Sequence, residues 1–259
     1  MTSRISAIAF NTFREAVRDR VLYNLVVFAL LIVGSALLFG QISIGIERLV
    51  LINLGLTAIS IFGVVIAIFI GIGLVSKEIE KRTLYTVLAA RPVHRWEFVI
   101  GKFLGLVGTL LVNTFFMSLG LFAALFYLVH KFQRADAYLL VAIYFIVLQF
   151  VLITALALLF STFSSPLLSA VFAFSMFVIG TFGEDLRMFA GAATGAARWL
   201  GLAVAYIVPN FAPFNVISQV AHSEPVSQQL ILMNTLYALA YTAVVISAAV
   251  LIFLRRNLK

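Results

Sequence analysis

Residues 49–75 and 103–129 each run for 27 positions without one Asp, Glu, Lys, Arg or His. A helix rises about 1.5 Å per residue, so about 20 apolar residues cross the roughly 30 Å of bilayer hydrocarbon. Hydrophobic residues make up 63% of the chain, well above the roughly 45–50% of soluble domains. The sequence therefore predicts an all-α, polytopic membrane protein, a single domain over residues 1–259. Six spans are expected, at residues 21–39, 49–75, 103–129, 138–160, 166–182 and 229–254.

The connecting segments carry the remaining signals. Over residues 1–20, Ile5, Ala9, Phe13 and Val17 recur every four positions, while Asn11, Arg14, Glu15 and Arg18 fall on another side. That spacing predicts a helix lying in the membrane interface. The apolar run behind it is longer than the 7 to 15 residues of a signal-peptide core, so it is expected to be retained as a span. Residues 41–48 read as a polar hairpin and 130–137 as a loop. The stretch STFSSP places Ser164 or Ser165 to cap a new helix, with Pro166 in its first turn, where a missing N–H costs nothing. Residues 183–228 hold a ten-residue apolar run and then PNFAPFN, rich in helix breakers. Ten residues are too few to cross, so one or two helices that dip into the outer interface and return are expected.

Charge fixes the expected orientation. Of the 18 Lys and Arg, thirteen lie in the N-terminal segment, in residues 76–102 and at the C-terminus. The other five are Arg48, Lys131, Arg134, Arg187 and Arg198. Positive charge gathers on the cytoplasmic side of a membrane, so both termini and residues 76–102 are expected in the cytoplasm, with the chain in the inner (plasma) membrane. The formal charge of +8 does not point to nucleic acid, because the basic residues cluster at span ends. Membrane lipid is the expected surrounding.

Several chemistries have no residues to support them. There is no cysteine, hence no disulfide or thiolate site. The three histidines, His94, His130 and His222, stand apart, and no HExxH, GxSxG or GxxxxGK[ST] pattern occurs. No catalytic residue, metal site or cofactor is assigned, and an enzyme acting alone is not expected. Nor do the predicted spans carry ionisable residues away from their ends, which ion-coupled carriers use to bind the driving ion. Energy for any transport is expected to arrive from outside the membrane.

Residues 76–102 are the place for it to arrive. They hold nine of the 28 charged residues, and each would cost about 2.5 kcal/mol or more in hydrocarbon. Glu78 and Arg82 stand at i and i+4 in the favourable order, and Leu84, Tyr85 and Leu88 form one apolar stripe. Pro92 breaks that helix. A second is expected from Val93 or His94 through Trp96 and Lys102 into the next span. The result is an amphipathic helix joined to a membrane helix, a lever that can carry a push.

The segment KEIEKRTLYTVLAARPVHRWEFVIGKFLG resembles the signature loop of ATP-binding-cassette permeases of the second type, six-span subunits that pair with a separate ATPase. The matching positions are Glu78, Glu80, Thr83, Leu84, Leu88, Pro92, Arg95, Gly101 and Lys102. One departure is Arg82, where many members carry glycine. The resemblance implies that this segment is a coupling helix docking in a groove of the ATPase, through Glu78, Glu80, Lys81, Arg82, Thr83, Leu84, Leu88, Pro92 and Arg95. It also implies a homodimer or heterodimer of permeases and ATP with Mg²⁺ held by the partner, none in this chain. An interfacial N-terminal helix and a proline-asparagine turn before the last span, here Pro209 and Asn210, extend the likeness.

On the second span, Asn53, Thr57, Ser60, Val64, Ala67 and Gly71 make one small and polar face. Faces of this kind let helices approach in lipid; the resemblance implies instead that Asn53, Thr57 and Ser60 line a route for cargo. Gly101, Gly105, Gly108 and Gln149 read as packing residues, and Asn234, Tyr237 and Tyr241 fit either role. The expected function is a permease subunit that exports a substrate on ATP hydrolysis in its partner. A non-transporting membrane anchor that recruits a soluble protein is the alternative from another class.

Overall fold

The computed structural model describes residues 2–18, 45–80, 94–129 and 136–255, with isolated positions between 23 and 38. Every regular element among the described residues is helical. In chain order they are α1 (Thr2–Val17), α2 (Glu47–Glu80), α3 (Arg95–Val129), α4 (Ala137–Ser161), α5 (Pro166–Thr181), α6 (Gly183–Ala192) and α7 (Ala196–Ile207). A 3-10 turn at Ala212–Phe214 follows, then α8 (Ile217–Ala221) and α9 (Gln228–Arg255).

Four stretches, Glu47–Gly73, Arg95–Leu128, Ala137–Ser161 and Gln228–Arg255, are long and apolar enough to cross a membrane. They coincide with the predicted second, third, fourth and last spans. The predicted first span lies for the most part outside the described residues. Ser165 precedes α5 and Pro166 opens it as expected, but the Ser165 hydroxyl makes no capping hydrogen bond. At 16 residues and about 24 Å, α5 is short for a crossing, and the chain turns by 67° into α6 at its end. A second bent pair joins α7 to Ala212–Ala221 at 43°. Counting each bent pair as one span gives up to six among the described residues.

Small residues set the close approaches. In lipid there is little hydrophobic force between helices, so contact depends on backbones coming near enough for dispersion. A β-carbon at Gly63 would strike the ring of Phe150 on α4, and one at Gly55 would strike Leu121 on α3. One at Gly71 would stand 3.2 Å from the Ala157 β-carbon. The same device seats α1 on α3. A β-carbon at Gly101 would lie 2.7 Å from the Ile8 side chain, and one at Gly105 would lie 2.5 Å from the Ala9 carbonyl oxygen. Thr12 and Ala16 are buried there, while Asn11, Arg14, Glu15 and Arg18 stay exposed, the polar side read from the sequence.

Among the long helices α3 runs against α2, α4 and α9, which gives the bundle two distinct ends. At one, Arg48 pairs with Asp136 and donates to Ser223 Oγ at 2.7 Å, so the starts of α2 and α4 meet the segment after α8. At the other, the base of α3 meets α1 and the finish of α9. The N-terminal helix, the start of α3 and the C-terminal end of α9 therefore share an end.

Polar side chains of α9 hold the irregular segment between α5 and α9. Tyr237 Oη accepts the Asn210 N–H at 2.9 Å, Asn234 Nδ2 donates to the Pro213 carbonyl at 2.7 Å, and Tyr241 Oη donates to the Ile207 carbonyl at 2.7 Å. These three fit either role by sequence, and the structure gives them a bracing one. The Phe211 N–H donates to the Gly180 carbonyl at 2.9 Å, and Gly180 and Gly183 leave room for the turn at Pro209 and Asn210. The bend after α5 thus forms around this turn.

Candidate functional site

The charged segment is described at its two edges. Glu78 and Glu80 fall on the last turns of α2, which runs on past the predicted end of the span at residue 75. No Gly or Pro stands between Val75 and Glu80 to stop it. Lys81, Arg82, Thr83, Leu84, Leu88 and Pro92 lie outside the described residues.

Beyond them, α3 starts at Arg95, just past the Val93 or His94 start read from the sequence. Glu97 is buried, and its Oε2 accepts the His94 N–H at 3.0 Å, a reach-back that satisfies one of the free amides at a helix start. Arg95 turns toward α9, its Nη1 donating to the Phe253 and Leu254 carbonyls at 3.2 Å each. A guanidinium there answers both the unpaired carbonyls and the negative end of the helix dipole. Phe98 stacks on Phe253 with ring centres 5.8 Å apart.

Lys102 is only 2% exposed, with Nζ 3.8 Å from a Glu15 carboxylate oxygen and 5.7 Å above the Phe98 ring. A lysine at this depth needs an opposite charge nearby, and Glu15 is the one acid of α1. The sequence reading put Lys102 in the water-exposed segment and missed this pairing; the signal for it was the four-residue spacing of Gly101 and Gly105, which brings α1 alongside. Through Arg95, Phe98 and Lys102, the exit from the charged segment is fastened to the first and last described helices at once.

The predicted path residues come together elsewhere. Asn53, Thr57 and Ser60 face a cavity of about 320 Å³ between α2, α4 and α5, closed over by the chain from Phe211 to Ser218. Phe177, Phe211 and Phe214 make its aromatic wall. Gln149, the residue read as packing, also lines it, at the middle of α4 and 8% exposed. Ser60 Oγ donates to Gln149 Oε1 at 3.5 Å, and Asn53 Nδ2 donates to the Leu49 carbonyl at 3.2 Å. No charged residue is among those lining the cavity. Farther along the same face, Val64, Ala67 and Gly71 are buried. The face read from sequence is therefore open in one half and packed in the other.

No curated protein matches the sequence. A family model described as ABC-2 family transporter protein matches residues 6–258, which takes in α2 to α9, the cavity and the fastening at the base of α3. On that match and this architecture of apolar helices, the chain belongs to the ABC-2 family of transporter proteins, a membrane-embedded transport component.

Proposed function

We propose that this protein is the membrane-spanning permease subunit of an exporter driven by a separate ATPase. Residues 76–102 dock on that ATPase, which holds ATP and Mg²⁺, and two permease subunits assemble around the route. Both termini and the docking segment face the cytoplasm of the inner membrane, and six spans and re-entrant helices in 183–228 make up the rest.

One observation carries the reading: the base of α3 meets α1 through the Lys102–Glu15 ion pair and the end of α9 through the hydrogen bonds of Arg95. A displacement of residues 76–94 therefore meets a rigid corner, not a slack hinge. The push passes to α3 and α9, whose packed arrangement against α2 and α4 shifts between discrete states. The charge-free cavity supports transport over the anchor reading, since an anchor has no use for one.

The test is reconstitution of the full chain with its ATPase in proteoliposomes. Glu78→Lys and Arg82→Glu are expected to abolish permease-stimulated ATP hydrolysis while membrane insertion stays unchanged. Arg95 is left out of that pair, because its bonds to α9 give it a fold role whatever it does in docking. Undiminished stimulation in both variants would overturn the docking assignment. Active export by the chain with no second polypeptide present would overturn the whole reading.

A further inference from the structure

The cavity under the Phe211–Ser218 cover has a chemistry that narrows its cargo. Three features bear on it. Gln149 sits at the thirteenth of the 25 positions of α4, deep in a span, where an amide that finds no partner is costly. Its only side-chain hydrogen bond among the described residues is the long one that its carbonyl accepts from Ser60 at 3.5 Å, and the amide is part of the cavity lining. Part of the lining is aromatic, from Phe177, Phe211 and Phe214. Finally, the lining holds no Asp, Glu, Lys, Arg or His, and a charge placed there would be stripped of water with nothing to answer it.

The geometry points to a binding site for one uncharged small molecule that has a flat aromatic or aliphatic body and an amide or hydroxyl edge. The body lies on the phenylalanines, and the polar edge bonds to Gln149 and Ser60, with Asn53 and Thr57 also in the lining. At about 320 Å³ the site is at the small end of ligand pockets, so it takes a compact molecule and not a polymer segment or a two-chained lipid. Carboxylates and ammonium ions are excluded by desolvation. This inference rests on reading the chain as a permease and names the class of its substrate.

A matched pair of photoreactive probes tests it on the full chain in lipid nanodiscs, with no ATPase or nucleotide. 4-Benzoylbenzamide is neutral and carries a primary amide; 4-benzoylbenzoate has the same shape and a negative charge. After irradiation, labelled residues are mapped by peptide mass spectrometry, and each probe is normalised to its labelling of the exposed α9 surface around Leu236 and Leu239, which corrects for partition into lipid. The amide probe is expected to label the cavity segments of α2, α4 and α5 at least about tenfold more than the carboxylate. Gln149→Leu is expected to lower that labelling about fivefold, the value of one hydrogen bond, and to leave the α9 labelling unchanged. If Gln149→Leu is not recovered folded, Ser60→Ala is expected to lower it about twofold. Equal normalised labelling by the two probes, or cavity labelling unaffected by these substitutions, overturns the proposal. Neither result touches the docking assignment, which is read by stimulated ATP hydrolysis.

Discussion

Along one face of α2 the same run of small and polar residues serves two ends. From Val64 to Gly71 it is packed shut, with Ala157 against Gly71 and Phe150 filling the notch at Gly63 beside it. From Asn53 to Ser60 it opens on the cavity. What α2 presents changes little between the halves; what α4 presents changes a great deal. Facing the closed half, α4 offers Phe150 and Ala157, a large residue matched to a glycine and a small one matched to another. Facing the open half it offers Ile146 and Gln149, while α5 and the Phe211–Ser218 cover stand back. A small-residue face is thus only permissive. The facing helix decides whether it becomes a contact or a hole.

The largest expected effect comes from filling the closed half. In Gly63→Leu the new side chain enters the space of the Phe150 ring, and Phe150 is itself almost wholly buried. Overpacking of this kind costs about 3 kcal/mol, seen as a marked drop in the apparent melting temperature of detergent-purified protein. Adding Phe150→Ala should recover much of the loss, because it removes the atoms that clash. A variant that melts as the parent does would break the comparison, since the halves would then be equally loose.

A smaller effect is expected one step further along. Gly71→Ala sets two methyl carbons about 3.2 Å apart across α2 and α4, closer than they pack at rest. The Ala157 methyl cannot rotate away, so the helices separate slightly, at a cost of about 1 kcal/mol. The same melting assay reads it, and Ala157→Gly alongside should restore the parent value.

How far this was legible in the sequence follows the same division. The long helices could be read because hydrocarbon imposes a length, and charges at each end mark where a span such as residues 103–129 stops. The opening of α5 at Pro166, the start of α3 to within a residue or two and the packing role of Gly101 and Gly105 were local enough to see. What was not legible depended on partners far apart in sequence. Gln149 looked like a packing residue because nothing near it in α4 shows that α5 and residues 211–218 stand away from it. Lys102 looked solvated because its acid, Glu15, lies on another helix. Asn234, Tyr237 and Tyr241 could not be assigned because the carbonyls and amide they bind belong to an irregular segment without periodicity of its own.

In the open half, enlarging a residue should do little to the fold. Thr57→Leu adds bulk where there is room, so its effect on stability is expected within about 0.5 kcal/mol. Export by the reconstituted complex should nonetheless fall, since the added side chain occupies cavity volume. Melting and export measured on one preparation give the contrast with Gly63→Leu directly: a stable but inactive variant against an unstable one. A Thr57→Leu protein as unstable as Gly63→Leu would mean that the cavity is not open space in the membrane.

Ser60→Ala is expected to have the smallest effect and sharpens the comparison most. At 3.5 Å the bond from Ser60 to Gln149 is at the edge of what counts as a hydrogen bond, and such bonds between membrane helices average about 0.6 kcal/mol. If the cavity admits water, the Gln149 carbonyl finds another donor when Ser60 is lost, and the cost stays at a few tenths of a kcal/mol. If it is dry, the carbonyl is left unsatisfied mid-span and the cost rises to about 1–3 kcal/mol. Comparing Ser60→Ala with Ser60→Ala plus Gln149→Leu separates these cases. In a wet cavity the second change brings no recovery, because nothing was stranded; in a dry one it restores most of the stability, because the stranded amide is gone. With no ligand to displace the water, the open half is expected to be wet, so the double variant should melt no higher than the single.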